Sequence, residues 1–179
     1  MPLDIGVGVL LSLAVSTGFG IEPSALFIVA GVVFALLPDL DILPFLWPTA
    51  YNHRSFLHYP LSWVAPVTLV YLFVGPLWGT LFLLCVTSHF IHDTIGIGWG
   101  IAWLAPFSPR KFLFPEKGRR QQHGFFMTWL PEEEKEMASE HHDPYWVKTF
   151  YFRPNPIAYV EYGVLLIAIL ALWLYGSAI

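Results

Sequence analysis

The chain has 179 residues, a formal net charge of −4 and only 12% charged residues, about half the fraction usual in soluble domains. Hydrophobic residues make up 56% of it, and its mean hydropathy is +0.59. The few basic residues form no large patch with base-stacking platforms, which argues against nucleic-acid binding. The single cysteine, Cys85, excludes a disulfide framework. The composition predicts an all-α integral membrane protein that is embedded in the lipid bilayer.

Two apolar runs open the chain, over residues 5–19 and 25–37. Between them, Pro23 and Ser24 are residue types that favour the start of a helix. Both runs are shorter than the roughly 20 residues that cross the core of a bilayer. The pattern predicts a short hairpin of two helices.

Three further apolar runs cover residues 61–74, 77–91 and 156–179. Pro66 is expected to kink the first of these helices, because a proline in a helix interior removes a hydrogen bond. The glycines that begin at residue 96 are expected to end the second. Together with the hairpin, these runs predict about five hydrophobic helices in a single membrane domain, residues 1–179.

Residues 107–155 differ in composition from the rest, because they hold eight of the nine Lys and Arg residues. We predict that they form a cytoplasmic loop or an interfacial insertion within the membrane domain. The three glutamates that follow Pro131 predict the start of a helix there. Since basic loops remain on the cytoplasmic side, the sequence predicts a multi-pass protein of the inner (cytoplasmic) membrane with its N-terminus in the cytoplasm.

Three polar clusters interrupt the apolar runs, and all three fall on one membrane face if each long run crosses the bilayer. Their members are Asp39, Asp41, His53, Arg54, His58, His89, His92 and Asp93. Ionisable groups at membrane depth cost a few kcal/mol each and usually pair with one another or mark a functional site. We therefore predict one polar site at the cytoplasmic edge of the helices.

The third cluster has a spacing that suits a metal ion. His89 and Asp93 are four positions apart, so they share one face of a helix and can reach the same cation. His92 is expected to serve as a further ligand or as an acid/base. Taken alone, this spacing favours the alternative, a histidine at a helix end that is bonded to its own turn. Asp39 and Asp41 are expected to alternate along an extended loop and to diverge around a cation.

Metal ligation is the prediction that unites the clusters. Carboxylates and imidazoles without thiolates suit Zn, Mn or Fe as divalent ions, and about six ligands would suit a two-metal centre. The predicted ligands are Asp39, Asp41, His53, His58, His89 and Asp93. Arg54 is interpreted as a clamp for a phosphate or carboxylate, with an internal ion pair to Asp39 or Asp41 as the alternative.

The clusters follow three short patterns, P-D-x-D, H-R-x-x-x-H and S-H-x-x-x-D, in this order. They comprise Pro38, Asp39 and Asp41, then His53, Arg54 and His58, then Ser88, His89 and Asp93, with Trp103 and residues 106–112 further on. Over residues 25–112 the chain resembles the membrane-bound metal-dependent hydrolases described as LexA-regulated inner-membrane proteins. It departs from their pattern at Ser55, Leu57 and Tyr59, which replace a glycine, a threonine and a serine.

The resemblance implies a phosphoester substrate, because that family is similar to the all-helical zinc-dependent phospholipase C group. The expected function is a membrane-bound metal-dependent hydrolase of a phosphoester or related ester, with a lipid-like or phosphorylated substrate. Arg54 would hold the substrate anion and His92 would move a proton.

The alternative is a non-enzymatic membrane protein. In that case the clusters form a structural metal site or ion-pair network, and the loop of residues 117–142 binds a partner. Residues 141–143, His-His-Asp, are interpreted as simply exposed. The sequence leaves the oligomeric state open.

Overall fold

The computed structural model describes residues 1–42, 56–95, 100–114, 127–133 and 145–177. These residues are mostly helical, in agreement with the broad all-α prediction. The helices are α1 (Pro2–Gly18), α2 (Ala25–Leu36), α3 (Val64–Phe73), α4 (Pro76–Thr94), α5 (Trp146–Tyr151) and α6 (Pro156–Ser177). Two three-residue strands, β1 (Lys111–Leu113) and β2 (Met127–Trp129), form an antiparallel pair.

The chain divides into two compact units. The first contains α1, α2, α3, most of α4, and α6, and comprises Met1–Pro38, Val64–His89 and Pro156–Ile179. The second contains the last residues of α4, the two strands and α5, and comprises Asp39–Trp63 and Phe90–Asn155.

In the first unit, α1 packs against both α2 and α6 through small residues. A Cβ atom at Gly8 would lie 2.7 Å from the carbonyl oxygen of Gly31 in α2. The hydroxyl of Ser12 donates to the carbonyl oxygens of Gly8, at 2.8 Å, and Phe27, at 3.3 Å. On another side of α1, a Cβ atom at Gly6 would lie 3.0 Å from the α6 backbone. Small residues thus allow the close helix packing that is common in membranes.

The outer surfaces of three helices in the first unit are apolar. Large exposed side chains include Leu26, Val29 and Val33 of α2, Leu69, Leu72 and Phe73 of α3, and Leu166, Ile167, Leu170 and Trp173 of α6. Monomeric soluble proteins rarely expose apolar surface of this extent, whereas it suits contact with lipid tails.

One helix in the described part of the chain, α6, is long and apolar enough to cross a membrane. The expectation of about five membrane-spanning helices is therefore not supported by length and composition. Helices α1, α2 and α3 have 17, 12 and 10 residues, fewer than the roughly 20 that cross a bilayer core. Helix α4 has 19 residues, but its last turns carry His89, His92 and Asp93.

The 3-10 helix Pro60–Trp63 changes to the α-helix α3 at Val64, two residues before Pro66. One local prediction was wrong. Asp39 and Asp41 do not lie in an extended loop, because residues 37–42 continue α2 as a 3-10 helix. The fixed φ of Pro38 is compatible with that continuation.

At the predicted helix start, Pro131–Glu133 form a 3-10 turn, and the residues that follow Glu133 lie outside the described part of the chain. The backbone amide of Leu130, just before this turn, donates to the Glu133 carboxylate at 2.7 Å. The carboxylate therefore caps the turn, as expected of an acidic residue at a helix start.

In the second unit, the strand pair is tied to the end of α4. Phe112 and Ile101 exchange two backbone hydrogen bonds of 2.9 Å, and the amide of Phe114 donates to the carbonyl oxygen of Thr94 at 2.6 Å. Gly100 has a positive φ of 66°, and a Cβ atom there would lie 2.7 Å from the carbonyl oxygen of Phe112. This close approach requires a glycine.

The packing of α1 on α2 predicts that Gly8→Ala destabilises the protein. The added methyl group would meet backbone atoms of Gly31 and Val32, which cannot rotate away. We expect the free energy of unfolding in detergent to fall by about 1–3 kcal/mol, the usual cost of overpacking. The matched control is Gly163→Ala in α6, where a Cβ atom meets nothing within 4 Å, and we expect a change of at most about 0.5 kcal/mol. Equal stability of the two variants would refute this interpretation.

Candidate metal centre

In the second unit, the His58 imidazole lies between two carboxylates. Its Nε2 is 3.6 Å from Oδ1 of Asp39 and 3.3 Å from Oδ2 of Asp93. The three residues come from separate elements: the 3-10 continuation of α2, the 3-10 turn Phe56–His58 and the last turn of α4. His58 is 1% exposed and Asp93 is 8% exposed, so both are shielded from bulk water.

Aromatic side chains hold the His58 ring in place. The Phe90 ring meets it edge-on, with 6.5 Å between the centroids, and Trp103 packs in the same manner against Phe90 at 6.4 Å. The indole N–H of Trp63 donates to the carbonyl oxygen of Leu57 at 2.8 Å, which fixes the backbone beside His58. The imidazole therefore occupies a defined position.

Thr94, next to Asp93, braces the end of α4. Its hydroxyl accepts a hydrogen bond of 2.9 Å from the Trp103 indole and donates one of 2.7 Å to the carbonyl oxygen of Phe90. The sequence patterns include Trp103, but they give no role to its indole N–H. In the structure, the indole N–H of Trp103 holds the helical turn that carries Asp93, through its hydrogen bond to Thr94.

In the first unit, His89 lies on α4 and is 1% exposed. It precedes Asp93 by four positions, the spacing of adjacent helical turns. Its Nδ1 is 3.3 Å from Oδ1 of Asp4, which is 2% exposed in the first turn of α1. Asp4 belongs to none of the three polar clusters in the sequence. The available signal was a lone carboxylate at the start of an otherwise apolar helix.

The structure contains a His/Asp cluster that is able to bind a metal ion. Within the second unit, Asp39 and His58 each offer one ligand atom to this group, and Asp93 adds a second carboxylate through its contact with His58. Carboxylates and an imidazole without a thiolate form a donor set that suits Zn, Mn or Fe. The donor chemistry of these residues therefore fits a divalent metal.

The remaining predicted residues are less fully described. His53 and Arg54 lie outside the described residues, and so do residues 141–143. Asp41 is described through its backbone, in the 3-10 helix that also contains Asp39. His92 is partly exposed on α4. Of the loop at residues 117–142, the structure describes residues 127–133.

Two further charged residues, Glu161 and Lys111, are buried and belong to none of the polar clusters in the sequence. Glu161 is 2% exposed in α6, and its Oε2 accepts a hydrogen bond of 2.9 Å from the Leu3 amide. Lys111 is buried in β1, where it pairs with Trp129 across the hairpin. Glu161 is the single charged residue in the sequence of α6, and a lone charge in an apolar helix indicates a buried, partnered group. Lys111 is one of several basic residues in its segment, so the sequence does not distinguish it.

Comparison with known proteins identifies a membrane protein family. The family model described as "YdjM inner membrane protein" matches residues 4–178. The inner membrane protein YbcI of Escherichia coli (strain K12) is 34% identical over 128 residues, which cover 64% of this chain and 68% of that relative. No solved structure matches the chain. Both names specify the inner membrane, and neither specifies a reaction.

The bracing of α4 predicts an energetic coupling between Thr94 and Trp103. Thr94→Val and Trp103→Phe remove the same hydrogen bond, so each should lower the free energy of unfolding by about 1 kcal/mol, and the double variant should cost less than their sum. The measurement is a double-mutant cycle in detergent. The control pairs Thr94→Val with Trp63→Phe, which removes a separate hydrogen bond and should be additive within about 0.5 kcal/mol. Additivity in both pairs would contradict the bracing role.

Proposed function

Because the chain belongs to the YdjM inner membrane protein family, we propose that it is a membrane-bound, metal-dependent hydrolase of the inner membrane. Its substrate is a phosphoester or related ester at the cytoplasmic face. The observation that carries the proposal is the buried His58 imidazole between the carboxylates of Asp39 and Asp93.

The charges of these three groups support a bound cation. With both carboxylates ionised, the three groups carry a net charge of −1 when the imidazole is protonated and −2 when it is neutral. Burial of such a charge costs several kcal/mol in a medium of low dielectric constant. A divalent cation compensates for both carboxylates and leaves the imidazole neutral, which is the form that binds metals.

We propose one or two divalent ions, Zn, Mn or Fe, held by the six predicted ligands. These are Asp39, Asp41, His53, His58, His89 and Asp93. The chemistry that a divalent ion would supply when bound by these residues is polarisation of a phosphoryl oxygen and activation of water as a nucleophile. The resemblance to metal-dependent membrane hydrolases supports the same ligand set.

Two further residues are proposed to act on the substrate. The guanidinium of Arg54 can hold a phosphate through two parallel hydrogen bonds, which a lysine cannot reproduce. His92 follows His89 by three positions on α4 and is partly exposed, so its imidazole can exchange protons with water. An imidazole titrates near neutral pH, which suits it to protonate a leaving group.

Metal content tests the proposal directly. Protein purified in detergent should contain about one or two equivalents of a transition metal by elemental analysis. The Asp39→Ala/His89→Ala double variant should lose it, whereas His142→Ala, in the loop interpreted as exposed, should retain it. Metal-loaded wild-type protein should hydrolyse a chromogenic phosphodiester in mixed micelles, and the double variant should not.

Two results would oppose the proposal. Metal that persists in the double variant would refute the ligand assignment. No metal in the wild type, even after reloading, would favour the non-enzymatic alternative, in which the clusters form a structural ion-pair network and residues 117–142 bind a partner.

We also propose that the other apolar helices lie in the bilayer beside α6. The exposed leucine, valine and phenylalanine side chains of α2 and α3 support this arrangement. The basic residues between positions 107 and 154 support a cytoplasmic location for that segment. The proposed topology is multi-pass, with the N-terminus in the cytoplasm and the C-terminus outside it.

Reporter fusions test this topology. Alkaline phosphatase fused after Ile179 should be active, because that enzyme folds only outside the cytoplasm. The same reporter fused after Arg120 should be inactive, and green fluorescent protein at that position should fluoresce. Immunoblots control for expression of each fusion. Phosphatase activity after Arg120 would place the basic segment outside and overturn the orientation.

A further inference from the structure

The contact between Asp4 and His89 joins the start of α1 to the polar end of α4 within the first unit. The Asp4 Oδ1 atom lies 3.3 Å from His89 Nδ1, and each residue is at most 2% exposed. Asp4 also lies 2.9 Å from the amino group of Met1. A buried pair of this kind is weak evidence for a role in stability, because desolvation offsets most of its attraction.

The two ring nitrogens of a histidine have different roles when the ring binds a metal. The nitrogen that faces a carboxylate carries the proton, and the opposite nitrogen offers its lone pair to the metal. In His89 the nitrogen that faces Asp4 is Nδ1. Nε2 is then the nitrogen that would bind the metal.

We propose that Asp4 is a positioning residue that fixes the ring orientation and tautomer of His89 for metal binding. This inference rests on the proposed function, because it requires His89 to be a metal ligand. Asp4 acts through His89 and is not itself placed among the ligands. Neither the sequence patterns of the three clusters nor the names of the related proteins assign it a role.

The packing of α1 explains how a residue so distant in sequence reaches His89. Close contacts at Gly6 and Gly8 hold α1 against α6 and α2, so the position of its first turn is fixed by backbone contacts. A carboxylate in the first turn also interacts favourably with the positive end of the helix dipole. Both effects keep the Asp4 carboxylate at a constant place beside the imidazole.

The test compares the metal affinities of Asp4→Asn and Glu161→Gln. Both variants replace a buried carboxylate of the first unit with its isosteric amide, but Glu161 accepts from the Leu3 amide, whereas Asp4 contacts His89. Affinity for Co²⁺ is measured by competition with a chelator on metal-free protein in detergent. We expect Asp4→Asn to bind about 10–100-fold more weakly with unchanged stoichiometry, and Glu161→Gln to bind as the wild type does.

Two additional measurements separate positioning from folding. Asp4→Glu restores a carboxylate, so it should regain most of the lost affinity. The absorption spectrum of the Co²⁺-loaded protein should change in Asp4→Asn and remain unchanged in Glu161→Gln, because the spectrum reports the ligand geometry. If Asp4→Asn does not yield folded protein, Asp4→Ser replaces it as the uncharged variant.

The outcomes distinguish this inference from the proposed function. Wild-type protein that binds no Co²⁺ would overturn the proposed function, and the inference with it. Wild-type protein that binds Co²⁺ with the same affinity as Asp4→Asn would overturn the positioning role alone. An equal loss of affinity in Glu161→Gln would also overturn it, because the effect would then follow from any buried carboxylate of the helix bundle.

Discussion

The burial of ionisable side chains in a mostly apolar chain is the constraint on which the structure depends. Asp4, His58, His89, Asp93 and Glu161 are each less than 10% exposed, in a protein with only 12% charged residues. In a medium of low dielectric constant, each such group must lie beside a partner of suitable charge or hydrogen-bonding capacity. The observed contacts meet this requirement: His58 lies between two carboxylates, and His89 lies beside a third.

These contacts between buried ionisable side chains require that the backbone positions carrying them are fixed. In the first unit, the glycines and Ser12 of α1 bring backbones into direct contact, so the first turn of that helix is held by atoms that cannot rotate away. In the second unit, the hydrogen bond between Trp103 and Thr94 and the backbone bond from Phe114 hold the last turn of α4. Rigid packing thus serves the polar contacts as well as the apolar core.

Local sequence patterns predict much of this structure but only some of its long-range contacts. Apolar runs and prolines locate the helices, because helix periodicity and proline geometry act over a few residues. The polar clusters indicated that Asp39, His58 and Asp93 would lie together, but no local pattern links Asp4 to His89, which is 85 positions away. The strands β1 and β2 were missed because three residues are too few to show an alternating pattern. Asp39 was placed in an extended loop because the apolar run ends at residue 37, although the helical backbone continues beyond it as a 3-10 helix.

Helix α4 shows most directly why we propose a metal, rather than stability alone, as the reason for the polar residues. It has 19 residues, enough to approach the thickness of a bilayer core, yet its last turns carry His89, His92 and Asp93. Apolar residues at these positions would favour membrane insertion, and replacement of buried ion pairs by apolar residues is often neutral or stabilising. Polar side chains in these turns therefore make the free energy of membrane insertion less favourable, and their contacts with one another do not compensate by stabilising the folded state. The proposed binding of a divalent ion would supply such a gain, because its attraction to the carboxylates and imidazoles would be realised only in the folded protein.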